Sequence, residues 1–250
     1  MPRLYQRLLF AACLLVPALS HADTVQVAVA ANFTAPMQDI AKAFEQKSGH
    51  HLLLSFGATG KFYTQIKNGA PFEVLLAADT KTPQKLASEG SAVAASEFTY
   101  ATGKLALWSA TSGLVDDQGA VLGKGSYQHL AIANPTLAPY GAAAMQVLTH
   151  LNLLPAVQPR LVTGESIGQA YEFAATGNAE LGFVALSQVQ VNGQLSKGSV
   201  WIVPASLYDP LHQDAVLLNP GKDHAAASAL LEFLHSDTAK TIIKAYGYDI

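Results

Sequence analysis

The run Ala28-Val29-Ala30-Ala31-Asn32-Phe33-Thr34-Ala35-Pro36-Met37-Gln38-Asp39 decides the fold. With Thr24-Val25-Gln26-Val27 before it, it reads as a buried strand, a short polar turn and a helix. Asn32 and Thr34 are both residue types that cap helices, and Pro36 suits a first turn, where no backbone donor is needed. Phe33, Met37, Ile40, Ala41 and Phe44 then recur at helical spacing. A helix that opens at the carboxyl end of a strand points unpaired N–H groups and the positive end of its dipole outward, which is a ready anion site.

The same unit repeats along the chain. His51–Phe56 is a second strand, Gly57–Lys61 a tight turn, and Phe62, Tyr63 and Ile66 start a helix that Asn68-Gly69 ends. Pro71–Ala77 is a near-continuous apolar strand of the parallel-sheet kind, followed by a helix over Thr80–Glu89. This alternation predicts an α/β layer. Beyond Tyr100 a second unit is expected, with strands at Lys104–Trp108, Leu130–Ala133, Arg160–Val162, Leu181–Ala185 and Val200–Val203. Its helices are expected over Ala142–Leu151 and from Gly168 to Thr176. Asp214–Leu218 is expected to return to the first unit, before two terminal helices over Ala225–His235 and Asp237–Tyr246. Two crossings, near residues 100–104 and 206–213, make a hinge. The expected architecture is therefore two α/β lobes, each a mixed sheet flanked by helices: 23–103 with 210–250 as lobe I, and 104–209 as lobe II.

Half of the 250 residues are apolar, ample for such cores. Residues 1–22 read as a cleaved signal peptide, with Arg3 and Arg7 before the apolar run Leu8–Leu19 and a small-x-small site at Ser20-His21-Ala22. The rival reading makes Cys13 a lipidated first residue, but it leaves Leu14–Leu19 stranded beyond the cut. Cleavage after Ala22 removes the only cysteine, so no disulfide is expected, and takes the formal charge from −3 to −5. An acidic chain without basic clusters is a poor nucleic-acid binder. An anion would have to be held by local donors rather than by a broad positive field.

Four strand ends feed helix starts through polar or glycine turns, at Asn32, Thr59, Tyr140 and Ile167, two in each lobe. In open α/β sheets, ligands sit beyond the carboxyl ends of the strands. The donors offered are neutral: the Asn32 amide, the Thr59 hydroxyl and backbone N–H groups. Pro139 has no N–H, so the first free donor of its helix belongs to Tyr140 or Gly141. Each turn taken alone reads equally well as an ordinary cap. Lys61 reads as a solvated first-turn lysine, and Glu73 as a partner of neighbouring backbone. Gly57-Ala58-Thr59-Gly60-Lys61 is not a phosphate-binding P-loop, because its first glycine is too near the Gly-Lys pair and Phe62 replaces the required Ser or Thr. The eight histidines are scattered without metal-ligand spacing.

Four stretches carry a closer resemblance. Val27–Ala41, Ser55–Ile66, Asn68–Asp79 and Ala133–Ala142, with the ending Leu231–Ile250 that contains Tyr246-Gly247-Tyr248, resemble the periplasmic molybdate-binding proteins of ABC transporters. The resemblance implies a periplasmic, monomeric two-lobed protein that closes on one tetrahedral oxyanion, molybdate or tungstate. It implies delivery to an inner-membrane ABC permease, with no cofactor and no bond chemistry. Carried over, side-chain donors fall on Asn32 and Thr59 and backbone donors on Tyr140 and Ile167, with Ala31 and Gly60 as further contacts. The sequence departs from the family at Ala185, where many members place a tyrosine hydroxyl; that contact is either missing or supplied elsewhere, by Asn32 or the Ala31 N–H. Two alternatives stay open here. One is a binder of another anion, such as sulfate or a small organic acid. The other is a serine esterase built on Gly164-Glu165-Ser166-Ile167-Gly168, with acids at Asp209, Asp214 or Asp223 and bases at His212, His224 or His235. No His-Gly-Gly oxyanion segment precedes that motif.

Overall fold

The computed structural model describes residues 22–250, so the expected leader lies, but for Ala22, outside the described residues. The first unit runs β1 (Thr24–Ala30), α1 (Thr34–Ser48), β2 (His51–Gly57), α2 (Thr59–Lys67), β3 (Val74–Leu76), α3 (Lys81–Ser88) and β4 (Phe98–Gly103). The chain then crosses into β5 (Leu105–Ser109), α4 (Val121–Lys124), β6 (Leu130–Ala133), α5 (Pro139–His150), α6 (Leu154–Val157), β7 (Leu161–Gly164), α7 (Ile167–Ala175) and β8 (Leu181–Ala185). A two-residue hairpin, β9 (Gln190–Val191) and β10 (Gln194–Leu195), precedes β11 (Ser199–Ile202). β12 (Leu211–Leu217) returns, followed by α8 (Ala225–Leu234) and α9 (Asp237–Ala245).

These elements make two lobes. One has a five-stranded sheet in the order β2-β1-β3-β12-β4, the other in the order β11-β5-β8-β6-β7. In the first, β1 pairs in parallel with β2 and β3, while β12 runs antiparallel to β3 and β4. The lobes are joined where β4 leads into β5 and β11 leads back to β12, so two neighbouring strands of one sheet carry both crossings. The tail adds to them: Thr102 and Asp249 exchange backbone hydrogen bonds of 2.8 and 3.1 Å, which anchors the last residues on the crossing strand. Between Gln213 and Asp214 the pairing of β12 with β4 slips by a bulge, a device that re-aims a side chain beside a site.

The apolar stripe of α1 explains its placement. Phe33, Met37, Ile40, Ala41 and Phe44 are all buried, and all but Ala41 pack in one cluster with Val25, Val27 and Val29 of β1 and Leu230 and Ile243 of the terminal helices. Truncating a side chain such as Phe44 there costs about 3–5 kcal/mol. Gly49 ends the helix in the left-handed conformation, φ 77°. The strand expected over Pro71–Ala77 is shorter than its apolar run, because only Val74–Leu76 finds ladder partners on both sides.

Candidate functional site

The four predicted helix starts meet. Asn32, Thr59, Tyr140 and Ile167 line one small, tightly closed cavity of about 10 Å³, with Ala30, Ala31, Gly57, Ala58, Ala78, Ala138 and Pro139 between them. No carboxylate, imidazole or ammonium group is in this lining. A larger cleft of about 490 Å³ adjoins it and shares Ala78, Ala138 and Pro139, but it carries Asp79 and Asp209 together with Lys81 and His212. The small cavity, where the four helix starts meet with no carboxylate among them, is the anion-compatible one.

Local structure decides which donors are free. The first N–H groups of a helix have no intrahelical acceptor. In α5, Pro139 has no N–H, and the Gly141 N–H is spent on Ala138 O at 2.9 Å. That leaves Tyr140. In α7, Ser166 caps the helix by accepting the Gln169 N–H at 3.3 Å, and the Ala170 N–H goes to Ser166 O. Ile167 therefore opens the helix with its N–H unspent by the cap. The Thr59 hydroxyl accepts the Ala78 N–H at 3.0 Å, which leaves its own proton to donate. Thr59 is buried, so that proton has few outlets besides the cavity.

Two expected contacts take other partners. Gly60 does not offer its N–H to a guest, but donates it across the cleft to Leu137 O at 2.9 Å. Asn32 is no side-chain cap: a 3₁₀ turn, Ala31–Phe33, precedes α1, and the Asn32 side chain turns away from the helix start. Its Nδ2 donates to Gln213 Oε1 at 2.8 Å and to Tyr248 Oη at 2.9 Å. Its Oδ1 is buried without a hydrogen-bond partner. Thr34, the other candidate cap, donates its hydroxyl back to Ala31 O at 2.9 Å.

Behind the cavity lies a buried polar network. Gln213 Nε2 donates to Tyr140 Oη at 3.1 Å, and Tyr100 Oη is 3.0 Å from both Gln213 Oε1 and Ala77 O. Ser187 Oγ donates to Asn32 O at 2.8 Å, 3.0 Å from Tyr248 Oη. Burial pushes the Tyr248 phenol up to about 12 and the Tyr100 and Tyr140 phenols well above their ordinary value, so all three stay neutral. Gly103 on the crossing strand makes room: a methyl there would overlap Tyr140 Oη and Gln213 Nε2. Sequence reasoning missed Gln213 and Tyr248 as supports of the site; the only sequence hint for Tyr248 was its place in the family's tail.

Ala185 ends β8 fully buried and does not line the cavity; its N–H donates to Gln188 Oε1 at 2.9 Å. Gln188 Nε2 in turn donates to Ile167 O at 3.2 Å, so this side chain ties the strand end to the start of α7. The hydrolase constellation is not assembled. Ser166 is a helix cap, His212 bonds Thr102 Oγ1, His224 bonds Glu73, and His235 stacks on Phe98. Among the described residues, no group of three or more His, Cys, Asp or Glu side chains could hold a metal ion, and no helix is long and apolar enough to cross a membrane.

A two-lobed α/β fold with neutral donors converging between the lobes is the architecture of a solute-binding protein. The chain belongs to the bacterial extracellular solute-binding protein family, whose model matches residues 25–249. It is 61% identical over 236 residues to the molybdate-binding protein ModA of Azotobacter vinelandii, covering 94% of each chain. It is 55% identical over 229 residues to ModA of Rhodobacter capsulatus, covering 91% of this chain and 88% of that one. The structure of the Azotobacter vinelandii periplasmic molybdate-binding protein superposes with a TM-score of 0.88 at 44% identity, over 90% of this chain and 99% of that one. A sulfate-binding protein from Mycobacterium tuberculosis, at 12% identity and a TM-score of 0.75, shares the fold.

Proposed function

We propose that this protein captures molybdate, and tungstate with it, between its lobes and hands it to an ABC importer. The observation that carries the reading is the meeting of four helix starts, two from each lobe, around a cavity lined by no charged side chain. The curated relatives above 50% identity, both molybdate-binding proteins, support it. The guest is a transported ligand, and the protein performs no bond chemistry on it. Asn32, Thr59, Tyr140 and Ile167 are the contacts, with Ala31 beside them. The lobes are 23–103 with 210–250, and 104–209. The protein works as an exported monomer after loss of its leader.

Selectivity follows from the donors. A fully deprotonated dianion accepts hydrogen bonds at every oxygen and offers none. A cavity of donors suits it and disfavours protonated phosphate, whose O–H would be buried without an acceptor. Calorimetry with molybdate, tungstate, sulfate and phosphate tests the reading. Tight binding of the first two with weak or no binding of the others is expected; preference for sulfate, or no binding of any, overturns it.

A further inference from the structure

Gln213 hydrogen-bonds a cavity residue from each lobe: Asn32 at 2.8 Å and Tyr140 at 3.1 Å. It sits on the returning strand β12, at the bulge, and is fully buried. A carboxamide places its oxygen and nitrogen almost equivalently, so its partners decide which is where. As the amides stand, two things are unbalanced. Asn32 Oδ1 has no donor, and an acceptor on a cavity residue is unfavourable beside an anion. The Tyr100 hydroxyl has one proton for two acceptors, Ala77 O and Gln213 Oε1.

Turning the Asn32 and Gln213 amides together by half a revolution removes both faults without moving another heavy atom. Gln213 Nε2 then donates to Asn32 Oδ1 across the same 2.8 Å and to Tyr100 Oη across the same 3.0 Å. The Tyr100 proton goes to Ala77 O. The Tyr140 hydroxyl donates to Gln213 Oε1, and the Tyr248 hydroxyl moves its single proton from Asn32 O, 2.9 Å away, to Asn32 Oδ1 at 2.9 Å. Ser187 keeps Asn32 O. The Asn32 NH₂ now stands where the orphan oxygen stood.

We propose that this paired turn defines the anion-bound state, and that Gln213 is a positioning residue that aims the Asn32 amide at the guest while tying it to Tyr140 of the opposite lobe. The proposal rests on the oxyanion reading above and adds the residue that orients its donor. Turning either amide alone would set nitrogen against nitrogen or oxygen against oxygen, so the two move as a unit.

A double-mutant cycle for molybdate binding tests the coupling. Gln213→Met keeps the side chain's length and removes its polar atoms. It should weaken molybdate binding roughly tenfold, through faster dissociation. In an Asn32→Ala background the same change should add nothing further. Losses that simply add, or a Gln213→Met protein that binds like wild type, overturn the proposal. A purely structural role would lower the melting point of the ligand-free protein yet leave the losses additive. A second readout needs no ligand. The Asn32 side-chain amide NMR signals, identified by their loss in Asn32→Ala, must shift in ligand-free Gln213→Met, and must shift in wild type when molybdate is added. Unmoved signals in Gln213→Met overturn the coupling alone, whereas failure of wild type to bind molybdate overturns the oxyanion reading.

Discussion

Lys61 Nζ lies 2.6 Å from Glu165 Oε1, a pair that joins the start of α2 in one lobe to the turn before α7 in the other. With the backbone bond from Gly60 to Leu137 O, it spans the cleft mouth and belongs to the closed arrangement. Both side chains are about half exposed. Such a pair contributes at most about 1 kcal/mol. Lys61→Ala should therefore weaken molybdate binding by less than about fivefold, and the difference from wild type should shrink as salt is raised. Calorimetry at two ionic strengths checks this. A loss of several hundredfold would mean that Lys61 touches the guest itself.

Thr59 and Asn32 should matter more. Thr59→Ala removes a hydroxyl donor and also leaves the Ala78 N–H without its acceptor. Each of Thr59→Ala and Asn32→Ala is expected to weaken molybdate binding by about 1–3 kcal/mol. Unchanged affinity in both would remove these residues from the site.

Gly60 separates closure from folding. It sits in the first turn of α2, where alanine is the better helix former by about 1 kcal/mol. A Cβ there would meet Leu137 Cα and O at 3.1 Å, backbone atoms of the opposite lobe. Gly60→Ala should leave the melting point of the ligand-free protein unchanged or raised, and weaken molybdate binding by about 1 kcal/mol through crowding of the closed lobes. A variant that melted earlier yet bound normally would contradict this division.

Alkaline pH should act through the buried phenols. The folded-state value for Tyr248, about 12, lies above that of the unfolded chain, near 10. Its contribution is whole below the unfolded value and is lost as pH rises through the folded one. Thermal melts should fall away above about pH 10, and the fall should be shallower in Tyr248→Phe. Between about pH 6 and 9 molybdate affinity should stay flat, since no group lining the cavity titrates there. A steep dependence in that window would point to an ionisable contact.

Much of this was legible locally. The α1 stripe, the strand-turn-helix repeats and the exclusion of Pro139 as a donor all follow from neighbours a few positions apart. The return of the chain to the first sheet was also readable, although β4 was not separated from the crossing. Asn32 lines the cavity, but its side-chain partners stand 181 and 216 positions away, where no periodicity reaches. Gly60 misled for the same reason: its N–H has the free position a helix start predicts, and only the opposite lobe consumes it. Gln213 reads in sequence as the last residue of the second crossing, before the strand expected at Asp214; its meaning comes from the bulge and from Gly103.

The helix starts are shared out two and two between bodies that a pair of strands lets swing apart. Neither half holds a full set of dipoles, and no fixed cation in the lining would keep its grip once they part. On the oxyanion reading proposed above, release would therefore ask for no proton and no altered bond in the carrier, only a parting of the lobes that lets water take over the lost contacts. The emptied protein is chemically the one that set out, ready for another round.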